Sequence, residues 1–214
     1  MNRTLVICLS AILFLFAPAF ADEVPRIALN ILSMIPGDQN RCVVSLNGKK
    51  IHPEGLAVGV ETGWFSMSGD KLELSAEHPD GERLEEPLEA DGSAARIIVI
   101  YLQARENAEE TPPVIQIAVF PAFTAGTQTR KLVSLCENEE TFLIGEAEAK
   151  LKPLTPVDAP LWEPAGFTVS HQGKDVGKIG EVAKELSCYL FVSKGRDGTH
   201  HAAVANADQL EAGR

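Results

Sequence analysis

What the sequence lacks narrows its chemistry before any motif is found. It has no C-x-x-C pair, so zinc-ribbon and thioredoxin-like readings have no support. It has no G-x-S-x-G elbow, the usual setting of a serine hydrolase nucleophile. Positive charge is scarce: 19 Lys and Arg stand against 30 Asp and Glu, a formal charge of −11. Nucleic acids and anionic membrane surfaces attract basic patches, so neither is an expected partner. No long segment sustains apolar residues at a helical period, which argues against a helical bundle. Beyond the N-terminus no apolar run approaches the ~20 residues that span a membrane. The most apolar stretch left, Ile97-Ile98-Val99-Ile100-Tyr101-Leu102, is strand-sized.

The N-terminus has the three parts of a secretory signal. Arg3 supplies the positive start, Ile12-Leu13-Phe14-Leu15-Phe16 centres an uncharged run, and Ala19-Phe20-Ala21 ends it in a small-x-small cleavage site. Asp22-Glu23 follow at once. The competing reading is a membrane anchor, but Pro18 near the end of the run and the well-formed cleavage site favour residues 1–21 as a signal peptide. The expected location of the mature chain is periplasmic or secreted, with no integral membrane span after cleavage. Cys8 falls within the leader, so the mature chain keeps Cys42, Cys136 and Cys188. An odd count is no disulfide framework. One bridge with a free thiol, or three buried thiols behaving as small hydrophobes, both fit.

Strand and turn signals fill the mature chain. Val43-Val44-Ser45-Leu46, Asn47-Gly48 and Lys49-Lys50-Ile51 read as a β-hairpin with a type I′ turn. Leu72-Glu73-Leu74-Ser75-Ala76 alternates, so one of its faces is buried, whereas Ile97–Leu102 is apolar throughout and is expected to be covered on both faces. Residues 105–113 are polar, acidic and proline-terminated, and read as a linker. After them the pattern restarts. Ile115–Phe120 echoes Ile27–Leu32, Arg130–Leu135 echoes Arg41–Leu46, and Trp162 echoes Trp64. Pro164–Ser170 likewise echoes Ser68–Ser75, and Tyr189–Val192 echoes Ile98–Tyr101. A repeat near ninety residues is a domain duplication, not a solenoid. The expected fold is therefore all-β: two tandem small antiparallel immunoglobulin-like β-sandwich domains, spanning 22–104 and 114–214.

Ser68-Gly69-Asp70-Lys71-Leu72-Glu73-Leu74 and Pro164-Ala165-Gly166-Phe167-Thr168-Val169, each followed by a hydrophobic closing strand, resemble the small sandwich of the DUF4397 type. A signal peptide before two such sandwiches also resembles the organisation of the periplasmic accessory proteins of alginate O-acetylation. That resemblance implies a role beside acetyl transfer to an exported polysaccharide, without a catalytic centre in the chain itself. It carries over no site residue.

Candidate chemistry is sparse. Asp197-Gly198-Thr199-His200 has the Asp-x-x-His spacing of acetyl esterases and transferases, yet the matching Gly-Asp-Ser block is absent, since Gly69-Asp70 runs into Lys71. A polar turn is the plainer reading. His200-His201 are adjacent, and adjacent side chains on a strand point to opposite faces, so no shared metal is expected of them. Glu82, Glu85, Glu86 and Glu89 form an acidic run without the ligand order of a calcium loop. Trp64, Phe65, Trp162, Phe120 and Phe123 are the candidate binding residues, because exposed rings stack on sugars and mark interfaces. The alternative for each is core packing.

The sequence thus points to a non-enzymatic exported binding or accessory protein, with a protein of an envelope complex or a glycan as partner and no cofactor. The alternative is a structural envelope or adhesion-type protein, and a remote one is an acetyl esterase or transferase. N-terminal sequencing of the chain recovered from an exporting cell is expected to begin at Asp22. A mature chain that still starts at Met1 in the membrane fraction supports the anchor instead.

Overall fold

The computed structural model describes residues 26–36, 41–69, 71–78, 83–89, 95–103, 114–159, 166–183, 185–195 and 197–208. The leader 1–21, the expected linker 105–113 and Trp162 lie outside the described residues. Every regular element among the described residues is a strand. The first eight are β1 (Arg26–Ser33), β2 (Val43–Leu46), β3 (Lys49–Lys50), β4 (Phe65–Ser68), β5 (Lys71–Glu77), β6 (Arg83–Glu89), β7 (Arg96–Gln103) and β8 (Val114–Pro121). The second eight are β9 (Arg130–Ser134), β10 (Glu140–Ile144), β11 (Ala147–Leu151), β12 (Val157–Asp158), β13 (Phe167–His171), β14 (Lys174–Ile179), β15 (Cys188–Lys194) and β16 (His200–Asn206).

The two sets have one topology. The sheet β4-β1-β7-β8 faces β3-β2-β5-β6 in the first sandwich, and β12-β9-β15-β16 faces β11-β10-β13-β14 in the second. The duplication expected from the sequence is therefore present as β1–β8 followed by β9–β16. Pairing is antiparallel except for β1 with β7 and β9 with β15, one parallel pair per sandwich. Five intervening strands carry the chain back between these partners in each sandwich, which is the long connection that parallel pairing requires. The β2–β3 turn is the one the sequence announces: Asn47 and Gly48 both have positive φ (50° and 73°).

One boundary differs from the sequence reading, which starts the second sandwich at 114. β8 pairs with β7 along its whole length, from Arg96 with Pro121 to Gln103 with Val114. Segment 105–113 therefore joins neighbours in one sheet, and the crossing between sandwiches lies between Pro121 and Arg130. The repeat frame shifts with it. β1 corresponds to β9, not to β8, so Ile27–Leu32 and Ile115–Phe120 are not equivalent strands. Both contribute apolar side chains to the same core, and their likeness in composition has that common cause.

The two sandwiches share a core of their own. Ile98, Ile100 and Leu102 of β7 point into the first sandwich, and Cys188, Leu190 and Val192 of β15 into the second. The alternate residues Ile97, Val99 and Tyr101 meet Tyr189 and Phe191 in a seam between the sandwiches, joined by Leu32, Phe120, Val133 and three small residues, Ala203, Ala205 and Ala207. Four sheets thus stack in four layers. This explains why the β7 and β15 sequences are apolar without alternation: period-two strands buried on both faces have no position left for a polar side chain. Phe191 is fully buried, with its ring 5.2 Å from Phe120 and 5.5 Å from Tyr189.

Phe191→Ala is expected to cost about 3–5 kcal/mol and to leave one transition in urea, seen together by far-UV circular dichroism and by tryptophan fluorescence, to which Trp64, packed on the seam, contributes. Two separated transitions in the parent protein refute coupling through this core.

Candidate functional site

A cleft of about 630 Å³ opens at one end of the second sandwich. Three chain segments build it. The start of β10 brings Glu139, Glu140 and Thr141; the β13–β14 turn brings His171, Lys174 and Asp175; the β15–β16 connection brings Lys194, Asp197, Thr199 and His200. The β13–β14 turn is a tight one, with Gln172 and Gly173 both at positive φ (51° and 76°), so His171 is held at the last paired position of its strand.

At the floor lie three side chains and a ring beneath them. His200 Nε2 is 2.7 Å from Glu140 Oε2, and His171 Nε2 is 3.5 Å from the same oxygen. The imidazoles lie 4.4 Å apart between centroids, and Phe142 supports both, at 4.9 Å from His171 and 5.6 Å from His200. Glu140 and Phe142 share a face of β10 because they are two residues apart. The His171 Nδ1 nitrogen donates to the carbonyl of Thr141 at 2.9 Å, since a carbonyl can only accept. In neutral His171 the Nε2 lone pair therefore faces Glu140. Burial is the main influence on His200 and lowers its pKa below 6.5; the Glu140 carboxylate works the other way.

Behind Glu140, in a small adjoining cavity that Glu140 also lines, sits Cys136. Its thiol sulfur, a Glu140 oxygen and a His200 nitrogen all lie within 4.8 Å of one another. Burial pushes the Cys136 thiol up to about 11, against a hydrogen bond from Ser134 that lowers it. An unassisted thiol of that kind is no nucleophile at neutral pH. Cys42 and Cys188 are buried and free as well, each pushed up to about 12 by burial. The three buried reduced thiols considered from the sequence are what the fold contains.

The duplication supplies a control within the molecule. Pairing registers equate Leu46 with Ile144 at the two hairpin turns and Leu74 with Val169 across from them. Ser33 and Ser134 accept from the backbone N–H two residues on, and Met34 and Leu135 donate to Ile100 and Val192 in the same way. Carried along the strands, these equivalences place Cys136 where the first sandwich has Ile35, Glu140 where it has Cys42, and His171 where it has Ala76. Lys194 likewise replaces Leu102 and His200 replaces Ile115. All five residues of the first copy are buried in its apolar core. One end of a hydrophobic core has become a polar cleft in the second copy. Burying one Ile side chain is worth about 1.5–3 kcal/mol, so the exchange gives up stability that the first copy retains.

The residues singled out in the sequence fall elsewhere. Phe120 is buried in the seam and Phe123 stacks on Tyr189 there, at 4.9 Å. Trp64 is half-buried against the seam and Phe65 half-buried against the first core. These rings are occupied by internal packing. Asp197 does not orient His200: its carboxylate accepts from the N–H (2.9 Å) and hydroxyl (2.7 Å) of Thr199, which hold its pKa below the usual range. His200 is oriented by Glu140 instead. No serine lines the cleft among the described residues. Of the acidic run, Glu85 and Glu86 are exposed on the edge strand β6, and Glu85 pairs with Arg83.

No protein-family model matches the chain, and no curated protein matches it in sequence. Among solved structures it is similar to "CBMbc (family CBM26) from Eubacterium rectale Amy13K in complex with maltoheptaose". The match has 14% identity, 87% of this chain and 98% of that one covered, and a TM-score of 0.22. A likeness at that score carries no argument about fold or function.

His200 binds its proton less tightly when folded than when unfolded. Its contribution to stability is present above its ordinary value of 6.5 and is lost as pH falls through the lowered folded value. The melting temperature is therefore expected to fall on acidification from about pH 7 to about pH 5, and less steeply in His200→Gln. A residual slope remains from His201, whose pKa burial also lowers. Equal slopes in the two proteins contradict the assignment.

Proposed function

We propose that the mature chain is an exported, non-catalytic binding protein that seats a polar, hydroxyl-bearing ligand in the cleft of its second sandwich. The observation that carries this reading is the replacement of a sealed core end by an open polar one at equivalent positions of the two copies. A structural role alone is served by the first copy's arrangement and gives no reason for the second's. The cleft offers carboxylates, ammonium groups, two threonines and imidazoles, donors and acceptors in mixture, which suits a ligand that needs both. Export is supported by the leader sequence. The raised pKa of the buried Cys136 thiol favours a binding role over acyl transfer through that thiol.

The ligand class we favour is a glycan held by hydrogen bonds, not by stacked aromatics, because the described aromatic candidates are engaged in packing. An accessory role in acetylation or export of a cell-surface polysaccharide is the finer form of the proposal, and it rests on the organisation of the sequence alone. Calorimetric titration of the mature chain with neutral, anionic and acetylated oligosaccharides tests the reading. Binding to one class is expected, weakened at least about tenfold in Lys174→Ala, the loss of one charge-assisted hydrogen bond. Lys174 is exposed at the cleft wall, so its removal leaves the fold intact. Absence of binding to every class, or equal affinity in the variant, overturns the proposal.

A further inference from the structure

We propose that Glu140, His171 and His200, with Cys136 as fourth ligand, form a binding site for a zinc-class divalent cation at the floor of the cleft. It deepens the reading above by naming a ligand of the same cleft, and its test measures metal alone, so either reading can fail without the other.

The donor set argues first. Two imidazole nitrogens, one carboxylate oxygen and one sulfur form a mixed set suited to zinc-class ions, not to calcium or magnesium, which take oxygen. Geometry comes next. With metal–nitrogen and metal–oxygen bonds near 2.0–2.2 Å and metal–sulfur near 2.3 Å, tetrahedral ligands stand about 3.3–3.8 Å apart. His171 Nε2 and Glu140 Oε2 are 3.5 Å apart already. The Cys136, Glu140 and His200 ligand atoms fit inside 4.8 Å. The His200–Glu140 pair, at 2.7 Å, is hydrogen-bonded and opens by about 0.6 Å to admit an ion between its atoms.

The second neighbours of the site are also in place. Ligating imidazoles characteristically donate their other ring nitrogen to a carbonyl or carboxylate, which fixes the tautomer. His171 does this through Nδ1 to Thr141, which in the neutral ring leaves Nε2 as the ligating nitrogen, 3.5 Å from the Glu140 oxygen. Two acceptors 3.5 Å apart are relieved either by a proton on Nε2 or by a metal ion between them. Phe142 holds both rings from below. Charge is favourable overall: four carboxylates line the cleft against two lysines, Lys174 and Lys194, both exposed. The buried thiol, inert on its own, is deprotonated when it coordinates.

Where the first copy has Ile35, Ala76 and Ile115 the second has the ligand types Cys136, His171 and His200, and Glu140 stands where the first has Cys42. A drift toward polarity has no reason to gather a cysteine, a glutamate and a histidine whose ligand atoms lie within 4.8 Å of one another, with a second histidine 3.5 Å from the glutamate oxygen. In the first copy the residue at the Glu140 position, Cys42, packs in the apolar core, and it joins no group of ligand atoms among the described residues. The duplication therefore predicts one ion per chain, in the second sandwich.

The test uses the full mature chain, freed of any affinity tag and stripped with a chelator. Zinc titration is expected to give one site per chain and a raised melting temperature. His171→Gln and His200→Gln are each expected to weaken binding by at least about a hundredfold, beyond the 10- to 100-fold that loss of a supporting neighbour produces. Asp158→Asn, exposed on β12, is expected to leave it unchanged. Far-UV circular dichroism confirms that the variants are folded, and Glu140→Gln serves as the independent ligand variant should either histidine variant fail to fold. Cobalt substitution is expected to give a thiolate-to-metal charge-transfer band that Cys136→Ser lacks. No bound zinc, or equal affinity across the ligand variants, overturns the site; zinc binding without the cobalt band overturns Cys136 as its fourth ligand.

Discussion

Two strands in this molecule have water on neither face, and the rest of the structure is arranged around them. β7 and β15 each contribute one face to their own sandwich and the other to a seam between sandwiches. Apolar packing alone is non-directional. Direction comes from a small polar latch at the seam. Asn30, fully buried, donates to Glu61 Oε2 at 2.7 Å and to the carbonyl of Asn206 at 3.1 Å, and the N–H of Asn206 donates to the same Glu61 oxygen at 3.1 Å. The Tyr189 hydroxyl adds a bond to the carbonyl of Pro121 across the seam, at 3.1 Å. A buried amide and carboxylate left unpaired by a slipped docking lose several such bonds at once, so one relative placement is specified.

Within that frame the two copies have divided their work. The first keeps a closed core in which Ile35, Cys42, Leu102 and Ile115 seal one end. The second opens the same end into solvent and lines it with ionisable groups. Because the seam ties the copies together, stability held in the first sandwich supports an opening in the second. This is the pattern expected when a functional site departs from local packing rules and the surrounding structure holds it in place.

The sequence makes the fold legible through period and turn chemistry. Asn47-Gly48 announces its hairpin, the alternation in Leu72–Ala76 announces a half-buried strand, and the unbroken Ile97–Leu102 run announces burial on both faces. The frame of the repeat is harder to read. β8 and β1 are similar in composition because each lines the first core, and composition cannot tell a repeated strand from a neighbour in the same sheet. Hydrogen-bond register can. The site was hidden by the same shift: only with β16 set against β8 does His200 fall opposite Ile115, and only with β10 set against β2 does Glu140 fall opposite Cys42. The described aromatic candidates, Trp64, Phe65, Phe120 and Phe123, pack internally for a different reason. A seam between duplicated domains needs large rings just as a sugar platform does, and the sequence around Phe120 and Phe123 does not distinguish the two uses.

The pairing of β8 with β7 also decides where this chain can be divided. A fragment beginning at 114 takes β8 away from its sheet and strips β7 of its outer neighbour, exposing a row of unpaired backbone groups on an apolar strand, the kind of edge that recruits other chains. Division after Pro121 keeps both sheets whole, yet still bares Ile97, Val99 and Tyr101 on one half and Tyr189 and Phe191 on the other. Either product carries a large apolar face that ordinary soluble monomers do not expose. For a protease or a protein engineer, the two repeats therefore constitute a single indivisible body.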